Sequence, residues 1–181
     1  MEQLHLILGP MFSGKSTKLI NELLRYKSLN KQVFSIKPSI DNRYSEDHIT
    51  THDGISIPAC KTEKLLNVTI PYNTDIIGID EAQFFQDLIP FIEKYRSYTI
   101  IIAGLDGDTN QQKFGDILNL IPIADTYDKN YAFCKICQDG TPAPFTKSIH
   151  QKKSQIHIGG KEKYIAVCKK HLKNPDPSVL L

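Results

Sequence analysis

With 181 residues, 40% hydrophobic, 23% charged and a formal net charge of +2, the chain has the make-up of a soluble globular protein with one main core and a small satellite unit. No apolar run approaches the ~20 residues that span a bilayer, and the N-terminus lacks the basic region and long apolar core of a signal peptide, so a cytoplasmic location is expected. Four cysteines in such a reducing setting point to a metal site or to chance, not to a disulfide framework.

In chain order, Gln3 to Leu8 is apolar enough for a buried strand. It leads into Gly9-Pro10-Met11-Phe12-Ser13-Gly14-Lys15-Ser16, which fits the Gly-x4-Gly-Lys-Ser phosphate-binding signature. The glycines let the backbone curl so that successive N–H groups face phosphate oxygens. Lys15 adds positive charge near the β and γ phosphates, and the Ser16 hydroxyl can ligate Mg²⁺. Leu19, Ile20, Leu23, Leu24 and Lys27 then recur at helical spacing, completing the strand, loop and helix order that the motif requires.

Gln32 to Ile36 reads as a second strand closed by Lys37-Pro38. The polar stretch from Ser39 to Asp53 is long enough to be a functional loop. Within it, Arg43, beside Asp41, can fork onto phosphate oxygens and stabilise charge on the transferring group; an Asx-type turn with a solvated arginine is the plainer alternative. Ile55 to Ile57 alternates briefly, and Thr62 to Leu66 predicts a short capped helix.

Thr74 to Ile79 predicts a buried strand that ends in Asp80 and Glu81, the Walker-B arrangement of an acid at a strand's carboxyl end facing the phosphate loop. Neighbouring side chains leave a strand in opposite directions, so the two acids are given different roles. Asp80 is assigned to Mg²⁺ and Glu81 to accepting a proton from the attacking oxygen. That pair suits an ATPase activating water as well as a kinase activating a hydroxyl.

Of Phe84 and Phe85, one is expected in the core and the other free to stack on a planar ligand. Leu88, Ile89 and Ile92 predict a helix with Pro90 in its first turns, and Tyr98 to Leu105 a confident strand. After a polar loop, Asp116 is expected to cap a short helix through Ile121, closed by Pro122. These elements predict an α/β fold of the P-loop NTPase, RecA-like kind, a parallel sheet flanked by helices over residues 1–129. Residues 130–181 are expected to form a small zinc-ribbon domain.

The second unit rests on Cys134-x2-Cys137 and Cys168-x2-His171, three thiolates and an imidazole that fit tetrahedral structural Zn²⁺. His150 and His157 could stand in for His171 but lack knuckle spacing. Zinc at both ends would make the intervening segment a stapled loop able to close over a ligand. Lys147 to Lys173 holds eight lysines against one acid, a surplus of +7 that leaves −5 on the rest. Its scattered lysines, with no arginine, read as a solvated or phosphate-facing surface and not as a nucleic-acid interface.

Together these stretches resemble the type II thymidine kinases of animals, bacteria and large DNA viruses. Matching stretches are Leu8 to Ser16, Thr51-His52-Asp53, Ile79-Asp80-Glu81 with Gln83-Phe84-Phe85, Leu105-Asp106-Gly107, Phe114-Gly115, Thr146-Lys147, Ile158-Gly159-Gly160, and Tyr164 ahead of Cys168. The resemblance implies transfer of the γ-phosphoryl group of ATP, with Mg²⁺, to the 5′-hydroxyl of thymidine, with deoxyuridine as a second acceptor, for DNA-precursor salvage. It makes Glu81 the general base and the stapled loop a lasso that reads the thymine edge. Gln155, Ile156, His157, Ile158, Gly159 and Tyr164 would contact the nucleoside, with Met11, Phe84, Leu105 and Thr146 lining the base pocket. Asp41 and Arg43 match positions beside the phosphates. Thr109 falls where animal members carry an aromatic residue beside the nucleoside, and His171 replaces their last cysteine. The family further implies a homotetramer and feedback inhibition by dTTP. Two other readings are an ATPase stimulated by nucleic acid, with the zinc knuckle as binding module, and a kinase for another small hydroxyl compound.

Overall fold

The structure, a computed structural model, describes residues 2–41, 47–51, 54–149, 159–160 and 162–173. β1 (Gln3–Gly9) runs into α1 (Lys15–Ser28), followed by β2 (Val33–Pro38). An antiparallel hairpin of β3 (His48–Thr50) and β4 (Ser56–Pro58) precedes β5 (Cys60–Thr62). Then come β6 (Ile76–Ile79), α2 (Leu88–Lys94), β7 (Thr99–Leu105) and β8 (Thr126–Lys129). Among the described residues, six strands form one sheet in the order β5-β2-β6-β7-β1-β8, and every neighbouring pair is parallel.

Apolar runs are unbroken in β6 and β7 because both faces of the sheet are covered. Side chains alternate between the two sides. Ile7, Ile76, Ile101 and Ala103 meet Leu19, Ile20 and Leu23 of α1, together with Ile49 and Ile57 of the hairpin. Leu6, Leu8, Ile77, Ile79, Ile100 and Ile102 meet Leu88, Phe91 and Ile92 of α2, with Phe85 beneath them. Phe85 is the core member of the Phe84–Phe85 pair. Leu24 lies off the buried stripe of α1 and is 40% exposed.

Two predicted helices are wound as tighter 3-10 turns, the first also shorter than expected. Leu65–Asn67 is a single 3-10 turn, and its first N–H groups are capped from afar by Asp87: Leu65 N and Leu66 N donate to its carboxylate at 3.2 and 2.9 Å. Thr62, the expected cap, ends β5 instead and turns its hydroxyl onto Lys64. Ile117–Ile123 is also 3-10, with Pro122 inside it, and the Asp116 carboxylate accepts from the Asn119 side chain without capping the backbone. β5 and β8, which flank the sheet, carry no pattern strong enough to predict.

A second set of elements follows β8: β9 (Ala132–Phe133) pairs with β10 (Pro142–Ala143), and β11 (Phe145–Ser148) with β12 (Tyr164–Val167), both antiparallel, ahead of the short helix α3 (Lys169–Leu172). Ala132, Ala143, Ile165 and Val167 form its small core, against which Phe12 of the glycine-rich loop packs. Residues 150–158 of the expected stapled loop lie outside the described residues.

Leu23 sits in the notch left by Gly78: a Cβ on Gly78 would be 2.5 Å from a Leu23 methyl. Leu23 has 0% exposure. Leu23→Ala is therefore expected to lower unfolding free energy by about 3 kcal/mol, read from urea denaturation followed by circular dichroism; an unchanged midpoint would contradict this packing.

Candidate active site and metal cluster

A cavity opens at the carboxyl ends of β1, β2, β6 and β7, the usual place for a ligand in an open parallel sheet. Met11, Phe12, Ser13, Gly14, Lys15 and Ser16 form its floor. Gly9 and Pro10 are not among the residues that line the cavity. Gly9 has φ 147°, and a Cβ there would meet the Asn130 carbonyl at 2.7 Å, so a larger residue could not let the loop leave β1. Asn130 braces the loop a second time, its side-chain amide donating to Ser13 O at 3.1 Å. Lys15, buried, bends back to donate to Pro10 O at 2.7 Å.

Ser16 donates its hydroxyl to Asp80 Oδ1 at 3.0 Å, joining the start of α1 to the end of β6. Asp80 is buried, and burial, with the Glu81 charge beside it and Asp41 near, pushes its carboxyl up to about 7 against the pull of the Ser16 hydrogen bond. Alternation along the strand does not separate Asp80 from Glu81. β6 ends at Ile79, and Glu81 takes a left-handed conformation with φ 51° and ψ 41°, which turns both acids toward one cavity. Such a conformation costs a non-glycine residue on the order of 1 kcal/mol and is held only where the surroundings dictate it.

The opposite wall is apolar. Met11, Phe84, Leu105, Thr109, Thr146 and Tyr164 line it, with Gly159 at its edge and Asp41 toward the phosphate loop. Phe84 meets Phe114 edge to face at 5.5 Å, so this aromatic pair backs the wall where Thr109 contributes only a small side chain. Burial raises the Tyr164 phenol above its ordinary value, aided by the Glu162 charge. Met11 N donates to Thr146 Oγ1 at 2.9 Å, which fastens the phosphate loop to β11. Arg43, Gln155, Ile156, His157 and Ile158 lie outside the described residues, as do His52 and Asp53.

Sequence reading missed two buried residues here. Lys37 lines the cavity from the end of β2 and donates to His48 O at 3.3 Å. Its strand is in register with β6, Ile36 facing Ile79, so the signal was its position at a strand end next to Asp80. Gln83 is 3% exposed; the sequence carried it only within the Gln83-Phe84-Phe85 match and gave it no role of its own. The hairpin residues His48 to Thr51 also reach the cavity.

Cys134, Cys137, Cys168 and His171 bring their ligand atoms within 4.8 Å of one another, with His171 in the fourth place. His171 Nδ1 stands 3.6, 3.4 and 3.4 Å from the sulfurs of Cys134, Cys137 and Cys168, and the Cys137 and Cys168 sulfurs are 3.9 Å apart. Tetrahedral zinc with ordinary Zn–S and Zn–N bonds requires edges of roughly 3.6 and 3.8 Å, so the group can hold that ion. At Cys134 burial opposes the thiolate, but the backbone amides of Cys137, Cys168 and Ile136, with His171, bring it down to about 6. Lys147 secures the second knuckle by donating to His171 O at 2.8 Å.

The sequence profile described as thymidine kinase matches residues 2–172. The thymidine kinase of Yaba monkey tumor virus is 44% identical over 169 residues, covering 92% of this chain and 92% of the viral protein. Thymidine kinase a of Arabidopsis thaliana is 41% identical over 176 residues, 92% of this chain and 73% of the plant protein. The cytosolic thymidine kinase of Gallus gallus is 37% identical over 172 residues, 92% of this chain and 75% of the bird protein.

Elemental analysis of purified protein should find about one zinc per chain, the stoichiometry of a single four-ligand site. Cys168→Ser should lose it and melt at lower temperature. Full zinc content in that variant would remove Cys168 from the ligand set.

Proposed function

The chain belongs to the thymidine kinase family and phosphorylates thymidine, and from that premise we propose that it moves the γ-phosphoryl group of ATP to the 5′-hydroxyl. The observation that carries this reading is the meeting of Lys15, the Ser16–Asp80 pair and Glu81 on one side of a cavity whose other side is apolar and aromatic.

Each residue has a separate task. Backbone N–H groups of residues 12–16 and the Lys15 ammonium bind the β and γ phosphates; Arg43 and Asp41 complete that end. Ser16 and Asp80 would hold Mg²⁺, which supplies positive charge to the phosphates and keeps the buried Asp80 carboxyl ionised. Glu81 accepts the 5′-hydroxyl proton as the oxygen attacks. Phe84, backed by Phe114, faces the flat base, while Met11, Leu105, Thr109, Thr146 and Tyr164 close the pocket around it. Gln155 to Gly159 read the base edge. Reading by backbone groups needs no side chain to be ordered, and a base with the wrong donor pattern would leave buried groups unpaired at ~1–3 kcal/mol each. Shutting out water keeps the acceptor a sugar hydroxyl and not solvent.

In this reading Cys134, Cys137, Cys168 and His171 bind a structural zinc that holds the second unit, residues 130–181, against the nucleotide-binding unit, residues 1–129. Among the described residues no helix is long and apolar enough to cross a membrane. We place the protein in the cytoplasm as a homotetramer inhibited by dTTP, on the family's pattern.

ADP release measured with thymidine, deoxyuridine, deoxycytidine or single-stranded DNA as the sole addition should depend on thymidine. Stimulation by DNA alone would contradict the reading. Glu81→Gln should keep ATP affinity while kcat falls about 10²-fold or more; unchanged turnover would take the base role from Glu81.

A further inference from the structure

We propose that Gln83 is a positioning residue of phosphoryl transfer, fixing the Glu81 carboxylate and tying it to the strand that builds the base-facing wall. The inference rests on the kinase reading above and deepens it.

The Gln83 side chain makes two bonds in opposite directions. Its Nε2 donates to Glu81 Oε2 at 2.6 Å, and its Oε1 accepts from Leu105 N at 2.9 Å. A backbone N–H can only donate, so Leu105 dictates which end of the amide carries oxygen. The NH₂ end is thereby turned toward Glu81. Leu105 is the last residue of β7 and lines the cavity beside Phe84. One buried amide therefore joins the proton acceptor to the base wall.

The surroundings are shaped to hold residue 83. A Cβ on Gly104 would lie 2.8 Å from Gln83 Oε1, and one on Gly115 would lie 2.2 Å from the Gln83 carbonyl oxygen. Gly115 also has φ 61°. Gly115 thus lets the chain close on the Gln83 backbone, while Gly104 lets the sheet close on its side-chain oxygen. Glu81 needs such a tether. It stands on a left-handed turn past the end of β6, where strand geometry no longer aims its side chain. A carboxylate held at one oxygen has a defined direction for the other, and proton acceptance depends on hydrogen-bond reach to within a few tenths of an ångström. Satisfying Leu105 N–H needs only the amide oxygen; the second bond, to Glu81, is the one that orients the carboxylate.

The test is a double-mutant cycle on the full-length protein, measuring kcat and KM for ATP and thymidine. Gln83→Met keeps the volume and loses both bonds. Gln83→Glu keeps an acceptor for Leu105 N–H but faces Glu81 with a like charge, and it decides the case if thermal melting shows Gln83→Met unfolded. Either variant should lower kcat about 10- to 100-fold with both KM values within about threefold, and should cost little further in a Glu81→Gln background. Wild-type kcat, losses that multiply in the double variant, or a change confined to KM would each overturn the proposal. Thymidine-dependent ADP release by the wild type tests the parent reading separately, so failure of that reading is distinguishable from failure of this one.

Discussion

The hydrogen bond from Ser16 to Asp80 joins residues 64 apart in the chain, and it can form only because β1 and β6 run parallel in one sheet with their carboxyl ends toward the same edge. Both strands pair with β7 in matched register, Gln3 and Ile76 each opposite Thr99. The loop after β1 and the acids after β6 are thereby delivered to one edge. β2, in register with β6, adds Lys37 there, and β7 adds Leu105. Hydrophobic burial on both faces fixes this alignment, since a slip of one residue would reverse every side chain between the α1 side and the α2 side. The site's polar chemistry is thus a consequence of apolar packing several residues below it.

A second constraint ties the two halves of the chain together. Met11 and Thr146 are 135 residues apart, yet the backbone of one donates to the hydroxyl of the other, and Phe12 packs into the small core beside the cysteines. The Cys134, Cys137, Cys168 and His171 cluster is thereby linked, through this small core, to the glycine-rich loop. On the proposed reading, loss of a bound zinc would loosen the phosphate end of the site.

Much of this was legible in the sequence where chemistry is local. A glycine-rich loop, a strand ending in acids and two Cys-x2-Cys/His knuckles each gather their polar groups within a few residues, so spacing alone brought Lys15, Ser16, Asp80, Glu81 and the four residues of the Cys and His cluster into view. What escaped depends on partners far along the chain. Asp87 caps the turn at Leu65 from more than twenty residues away, which is why a helix expected from Thr62 is a single 3-10 turn. β5 and β8 owe their place to a sheet already built by neighbours. Gln83 was visible only as part of a matching stretch, and its bond partner Leu105 is not evident until the chain is folded. The separation of Asp80 from Glu81 by strand alternation failed because the strand stops at Ile79, before either acid, so the rule does not apply to them.

The central claim is one of alignment: a triphosphate held by the loop and a sugar hydroxyl held by the apolar wall meet beside Glu81. A crystal structure with thymidine and a non-hydrolysable ATP analogue tests it most directly. The account predicts the 5′-oxygen at roughly 3–3.5 Å from the γ-phosphorus, in line with the bond to be broken and within hydrogen-bond reach of Glu81. A nucleoside seated away from Phe84, Leu105 and Thr146, or a 5′-oxygen directed away from both Glu81 and the terminal phosphate, would contradict it.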